Sequence, residues 1–227
     1  MFNTKDMSAG SGRTKPVMGA GNNVIKINSI TFDQTPYDVD AYNITLHVEG
    51  KPEEGDFQGF LKDVNNPSGE RYAGQVGRIR FSPYPYKDTT LPSGVEISRD
   101  NEILKGMIFL SEVLNKREEL DKIEANTIEE FMNECNNLFS NSEYFNACIG
   151  GREWENKDGY VNLDLYLPRI SKDGVPLEAL DKENSRLLTF NNSEHVRKLQ
   201  KKENNNNNEG NKSFEPAAST VGDDFDL

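Results

Sequence analysis

The chain has 227 residues, with 38 acidic side chains against 26 Lys and Arg, a net charge of -12, and 34% apolar residues. That apolar share is well under the roughly 45–50% of an ordinary globular chain, so one packed domain of about 100–200 residues with unpacked ends fits. No apolar run approaches the roughly 20 residues that span a bilayer, and only Cys135 and Cys148 are present, which excludes a disulfide scaffold. His47 and His195 are too few for a His-built metal site, and no cofactor motif is found. The stretch from Met1 to Asn23 lacks an apolar signal core, so secretion is not expected. Bulk acidity argues, at first, against a nucleic-acid binder.

In chain order, residues 1–23 are rich in Gly, Ser, Asn and Lys without a period and read as a flexible arm. Gly19-Ala20-Gly21 is only a fragment of a dinucleotide fingerprint, and it precedes a strand pattern rather than a helix. Val24 to Phe32 is β-rich. Tyr42 to Val48 alternates strictly, with Tyr42, Ile44, Leu46 and Val48 on one face, the signature of a half-buried strand. Asp56 to Val64 reads as another strand, and Asn65 to Gly69 as a loop. Gly77 to Tyr86 is a strand again, with Pro83 and Pro85 marking an edge or a bulge.

Then the period changes. Ile103, Leu104, Met107, Ile108, Leu110 and Leu114 recur at helical spacing behind Asp100 as the expected N-cap. A second helix starts at Thr127, with Glu130 completing a capping-box pattern and Ile128, Phe131, Met132, Cys135 and Leu138 as its stripe. Strands return at Phe145, Ala147 and Ile149, followed by a loop over 150–159. Tyr160 to Leu167 then alternates, with Val161, Leu163, Leu165 and Leu167 inward and Tyr160 and Tyr166 outward. Residues 169–199 are poorly periodic, with a short basic helix or arm around Val196 to Lys202. Lys201 to Thr220 is a polar linker with a run of Asn204 to Asn208.

Strands, a helical insert near 100–140 and a further strand pair over 24–200 match a mainly β domain: a five-stranded antiparallel Greek-key barrel of the OB type, whose helix lies between the third and fourth strands. A β-sandwich with a helical insertion is the alternative. The segment 201–227 reads as a disordered linker and acidic tip.

Partition of the charge gives +2 on residues 1–23, -5 on 203–227 and -9 on the rest. The centre is nevertheless uneven. Seventeen residues from Arg71 to Lys87 carry four cations (Arg71, Arg78, Arg80, Lys87) and no acid. Tyr72, Phe81, Tyr84 and Tyr86 are interleaved with them. Period two puts Arg78, Arg80, Ser82, Tyr84 and Tyr86 on one face, away from Ile79 and Phe81. Guanidinium groups neutralise phosphates and phenol rings stack bases, so such a face suits a single strand of nucleic acid. Exposed Tyr and Arg also serve merely as cross-strand pairs on many sheets.

The loop over 150–159 adds Arg152, Lys157 and Trp154, the only Trp. Strand-joining loops of this kind bind oligonucleotides in OB barrels, although Trp154 also suits a plug for the barrel end. Glu118-Glu119 and Glu129-Glu130 diverge on helices and read as solvated. Cys135 reads as core, and Cys148 lies on the opposite strand face from Phe145 and Ile149. No nucleophile elbow, P-loop or zinc pattern occurs, and no enzyme is expected.

The tip Asp223-Asp224-Phe225-Asp226-Leu227 sits beyond a linker of 22 residues, Lys201 to Gly222, which as a flexible coil reaches roughly 25 Å. Tyr144 to Trp154 and Gly159 to Pro168, together with this layout, resemble single-stranded DNA-binding proteins of bacteriophages. The usual bacterial tip ends in Pro-Phe, whereas this one ends in Phe225-Asp226-Leu227. The resemblance implies sequence-independent binding of single-stranded DNA in replication, recombination or repair, and recruitment of replication proteins by the tip. It also implies a cytoplasmic location, in the host cell for a phage protein, and leaves the subunit count open, homo-oligomers included. Arg78, Arg80 and Lys87 would then hold phosphates, Tyr84, Tyr86, Trp154 and Tyr160 would stack bases, and Asp223 to Leu227 would bind partners. The alternative is a β-rich virion structural or interaction module without nucleic-acid binding, consistent with the acidic centre.

Overall fold

A computed structural model of the chain describes residues 17–54 and 73–199. The expected strand at 56–64, the loop at 65–69, Arg71, Tyr72, the linker and the tip lie outside the described residues, as do residues 1–16 of the arm. The elements are β1 (Gly21–Thr35), β2 (Asp38–Gly50), β3 (Val76–Arg80), β4 (Thr89–Thr90), β5 (Glu96–Ile97) and α1 (Arg99–Val113). They continue with α2 (Arg117–Leu120), α3 (Ile128–Phe139), β6 (Phe145–Glu155), β7 (Val161–Tyr166), β8 (Leu177–Ala179), α4 (Asn192–His195) and β9 (Val196–Arg197).

The protein is mainly β. One seven-stranded sheet runs β1-β2-β3-β7-β6-β8, with β9 on β6, and β1 pairs with β6 as well. The path β1–β2–β3–β7–β6 therefore returns to its first strand. The expectation of a wholly antiparallel arrangement is corrected, because β3 pairs with β7 in parallel and β9 pairs with β6 in parallel. A closed path of five strands with hairpins at β1–β2 and β6–β7 leaves its last pairing to strands of the same direction.

The core follows from alternation. In β2, Ile44, Leu46 and Val48 are buried while Asn43, Thr45 and His47 face outward, as the sequence predicts. Tyr42 is half-buried and stacks on Phe32 with ring centroids 4.6 Å apart. In β1 the buried positions are Ile25 and Ile27, then Ile30. This change of parity is produced by a bulge at Asn28, where the register slips between Ile27 and Ser29. The helical insert binds the backbone on both sides of the bulge. Ile27 N–H donates to Ser142 Oγ at 2.9 Å, and Ile30 N–H donates to Asn136 Oδ1 at 2.6 Å.

The insert matches the helical spacing. In α1, Ile103, Met107 and Leu110 are buried at i, i+4 and i+7. Its N-cap is Ser98 rather than Asp100, which lies in the first turn and pairs with Arg99. In α3, Thr127 Oγ1 accepts from Glu130 N–H as the capping pattern predicts, while Glu130 Oε2 accepts from the N–H of Asn126, one residue before the N-cap, rather than from that of Thr127. Met132, Cys135 and Phe139 carry α3 into the same core as the strands. Among the described residues, no helix is long and apolar enough to cross a membrane.

Two expected boundaries move. β3 ends at Arg80 instead of continuing to Tyr86, because Pro83 and Pro85 have no N–H to give a ladder. A single bridge, Tyr42 to Tyr86, remains. Conversely, β6 runs through the expected loop as far as Glu155, leaving a turn only at 156–160. Asn156 Oδ1 accepts there from Asp158 N–H and Tyr160 N–H, and Gly159 takes φ +82°.

Candidate nucleic-acid interface

In-register partners share a face, so the pairings arrange the outward side chains of β2, β3, β7, β6 and β9 in ranks across the sheet. One rank runs Thr45, Arg80, Tyr166, Gly150. The next holds His47 beside Arg78 on one side, and Asp164 beside Arg152 beside Arg197 on the other. A third holds Trp154 beside Asn162.

Arg197 and Arg169 converge on one ring. Their guanidinium carbons lie 5.4 Å each from the centroid of Tyr84, and Arg197 Nη1 donates to Tyr84 Oη at 3.1 Å. Arg197 also lies 5.6 Å from the Tyr166 ring. The hydrogen bond and charge of Arg197, with smaller contributions from the charges of Arg169 and Arg152, lower the pKa of the Tyr84 hydroxyl from its usual value. Tyr84 remains 50% exposed. Arg152 and Arg197 sit in register across the parallel β6–β9 pair, with Asp164 flanking Arg152 on its other side. Among the described residues, none of Arg78, Arg80, Arg152, Arg169 and Arg197 forms an ion pair; the pairs present involve Lys87, Arg99, Lys105 and Arg117.

Gly150 makes the convergence sterically feasible. A Cβ there would lie 2.7 Å from Cζ of Tyr166 and 2.9 Å from the carbonyl oxygen of His195. Without it, the Tyr166 ring lies across β6 and its hydroxyl donates to that His195 carbonyl at 3.1 Å. The ring thus anchors the segment that delivers Arg197.

A groove of ≈ 610 Å³ adjoins this cluster. It exists because β3 and β7 pair at only two positions, Ile79 with Leu165 and Arg80 with Tyr166. Beyond them the strands separate. Met18 N–H instead bonds Val76 O at 2.9 Å, and the Met18 side chain is buried. Thr45, His47, Arg78, Arg80, Leu163 and Asp164 line the opening. Asp164 Oδ1 accepts from Trp154 Nε1 at 2.9 Å. His47 sits 3.4 Å from Thr31 Oγ1, and burial, aided by Arg78, lowers its pKa from the usual value.

The sequence-derived candidates thus divide. Arg78, Arg80, Arg152, Tyr84 and Tyr166 share one face. Arg71, Tyr72, Asp223, Asp224, Phe225, Asp226 and Leu227 lie outside the described residues. Tyr86 is corrected: it does not follow Tyr84 outward but packs against the core, and burial raises its pKa. Tyr166 is corrected as well, being only 8% exposed because the segment around His195 and Arg197 covers its outward face. Lys87 is held by Asp38 at 2.8 Å. Lys157 and Tyr160 are exposed at the β6–β7 turn, and Trp154 is 41% exposed on the strand leading to it, so the indole does not plug a barrel end. Val161 and Leu163 are exposed because that hairpin projects past the core.

Arg169, Arg197, His47 and Asp164 escaped sequence reasoning. The basic run beginning at Arg197 was the available signal for one, and the outward phase of β2 was the signal for His47.

Cysteine chemistry finds no support. Cys148 Sγ lies 4.0 Å from His195 Nδ1, but burial pushes its pKa up to about 11, which keeps the thiol protonated. Among the described residues, no group of three or more His, Cys, Asp and Glu is placed to hold a metal ion. No protein-family model matches the chain, and no curated protein or solved structure matches it.

Proposed function

We propose that this protein binds single-stranded DNA without sequence dependence, on the outer face of an OB-type barrel formed by β1, β2, β3, β7 and β6. The observation that carries this reading is the cluster of Arg152, Arg169 and Arg197 around the half-exposed ring of Tyr84, continued by Arg78 and Arg80. Unpaired guanidinium groups beside aromatic rings are what a flexible phosphate backbone with splayed bases requires. The groove between β3 and β7, of ≈ 610 Å³, is of a size that takes one nucleotide. The closing parallel pair β3–β7 and the helical insert between β3 and β6 support the OB assignment. On this reading the tip Asp223 to Leu227 recruits replication or recombination proteins while the barrel holds DNA, and the chemistry is non-enzymatic.

The test is titration of the intrinsic fluorescence of Trp154 with oligo-dT at low salt. Quenching that saturates at micromolar protein is expected, together with a gel shift. No quenching and no shift under those conditions overturns the proposal and favours an interaction module without nucleic-acid binding.

A further inference from the structure

The groove between β3 and β7 has a polarity that sequence-independent phosphate binding does not call for. Its β3 side presents Arg78 and Arg80, while its β7 side presents Asp164, whose charge repels phosphate. Asp164 lies in register with Arg152 on β6, which offsets part of its charge. A nucleotide can use the carboxylate as well, because it is itself bipolar, with a phosphate at one end and a base edge carrying N–H donors at the other.

The carboxylate is also held. Trp154 Nε1 donates to Asp164 Oδ1 from β6, on the other side of β7 from β3, and so fixes the side chain of this groove-lining residue. The walls suit a flat ring: Leu163 and Leu165 are apolar, and His47 is an imidazole kept neutral near pH 7 by burial and Arg78. The volume of ≈ 610 Å³ holds one nucleotide with room for its sugar.

Donor and acceptor count then selects the base. An ionised carboxylate only accepts, through two oxygens. In a single strand the Watson–Crick edges are free to be read. Guanine alone offers two adjacent donors on that edge, N1–H and the N2 amine. Adenine and cytosine each place one donor beside an acceptor, and thymine places its single N–H between two carbonyl oxygens.

We propose that the groove is a single-base seat in which Asp164 accepts the N1–H and N2–H of guanine while Arg78 and Arg80 hold the adjoining phosphate. This rests on the single-stranded DNA reading above. It adds a position-specific preference to binding that is otherwise indifferent to sequence. Because a short strand can slide, one guanine anywhere in it finds the seat.

The experiment is competition against fluorescein-labelled dT9, followed by anisotropy. The unlabelled competitors are dT9 and the same 9-mer with one central dG, inosine, dA or dC. The dG strand is expected to bind about tenfold tighter than dT9. Inosine, which lacks the N2 amine, is expected between them, and dA near dT9. Asp164→Asn keeps an oxygen for Trp154 but loses one acceptor and the charge. It is expected to erase the dG advantage, so that the dG strand and dT9 compete equally for the variant, whatever the change in its overall affinity. Binding of all five strands with equal strength overturns the base seat and leaves the DNA-binding reading intact, as does a dG advantage that inosine fully retains. If no strand binds, both fall.

Discussion

The arginine face makes a quantitative demand on salt dependence. Five cations, Arg78, Arg80, Arg152, Arg169 and Arg197, share it without an ion pair among the described residues. A single-stranded polyanion releases counterions such that log K falls with log salt by about 0.7 per neutralised phosphate. If each arginine meets one phosphate, the slope is about -3.5, and affinity drops on the order of 100-fold between 50 and 200 mM NaCl. Replacing Arg197 or Arg152 by Gln should each flatten the slope by about 0.7. Lys87→Gln should change it by less than half as much, since Lys87 already pairs with Asp38 at 2.8 Å. Lys105→Gln, on α1 and paired with Glu102, should leave it unchanged. Trp154 fluorescence titrations at four salt concentrations read these slopes. A wild-type slope flatter than about -1, or equal slopes in all variants, refutes the assignment of this face to phosphate.

Three other outcomes follow from the packing. Gly150→Ala forces a Cβ against the Tyr166 ring and the His195 carbonyl, and should cost about 1–3 kcal/mol in thermal or urea unfolding. Its oligo-dT affinity should fall too, because the same shift displaces Arg197 from Tyr84. Burial raises Cys135 to about 12 and Cys148 to about 11, so neither thiol should react with a disulfide reagent at pH 8 until denaturant is added. Finally, His47 has a lowered pKa in the fold, from burial first and Arg78 second, with Asp33 opposing. The unfolded chain therefore binds this proton more readily, and stability from His47 is present above about pH 6.5 and lost as pH falls below it. The urea midpoint should decline between pH 7 and pH 5, and His47→Gln should make that decline shallower.

What the sequence reveals and what it hides follow one physical distinction. Strict alternation in β2 and the helical stripes of α1 and α3 are local patterns, and most of their buried faces come out as read, although Leu104 is exposed and Phe139, outside the expected stripe, is fully buried. The capping pattern at Thr127 is equally local. Tyr166 is different. Its outward phase is correct, yet the segment around His195 folds back over it from 29 residues away. Exposure there depends on a contact that no period encodes. Tyr86 fails for the opposite reason. The period is extrapolated past two prolines that break the ladder, and the ring turns inward. Arg169 and Arg197 lie in a stretch with no regular phase, and the pairing of β9 with β6 is what places Arg197 beside Tyr84.

The bulge at Asn28 sets a condition on how the chain reaches its fold. The two backbone donors flanking it bond side chains 115 and 106 residues away, on Ser142 and Asn136. The β1–β2 hairpin, although contiguous, cannot complete its register by itself. A pairing slipped by one residue would turn Ile30 toward water and would leave both contacts unmade. Consolidation of this register thus draws on contacts that close a loop of over a hundred residues, the kind of non-local pairing that slows folding. Asn136 and Ser142 act in this process as proofreaders of strand register, a task separate from anything the outer face does with its ligand.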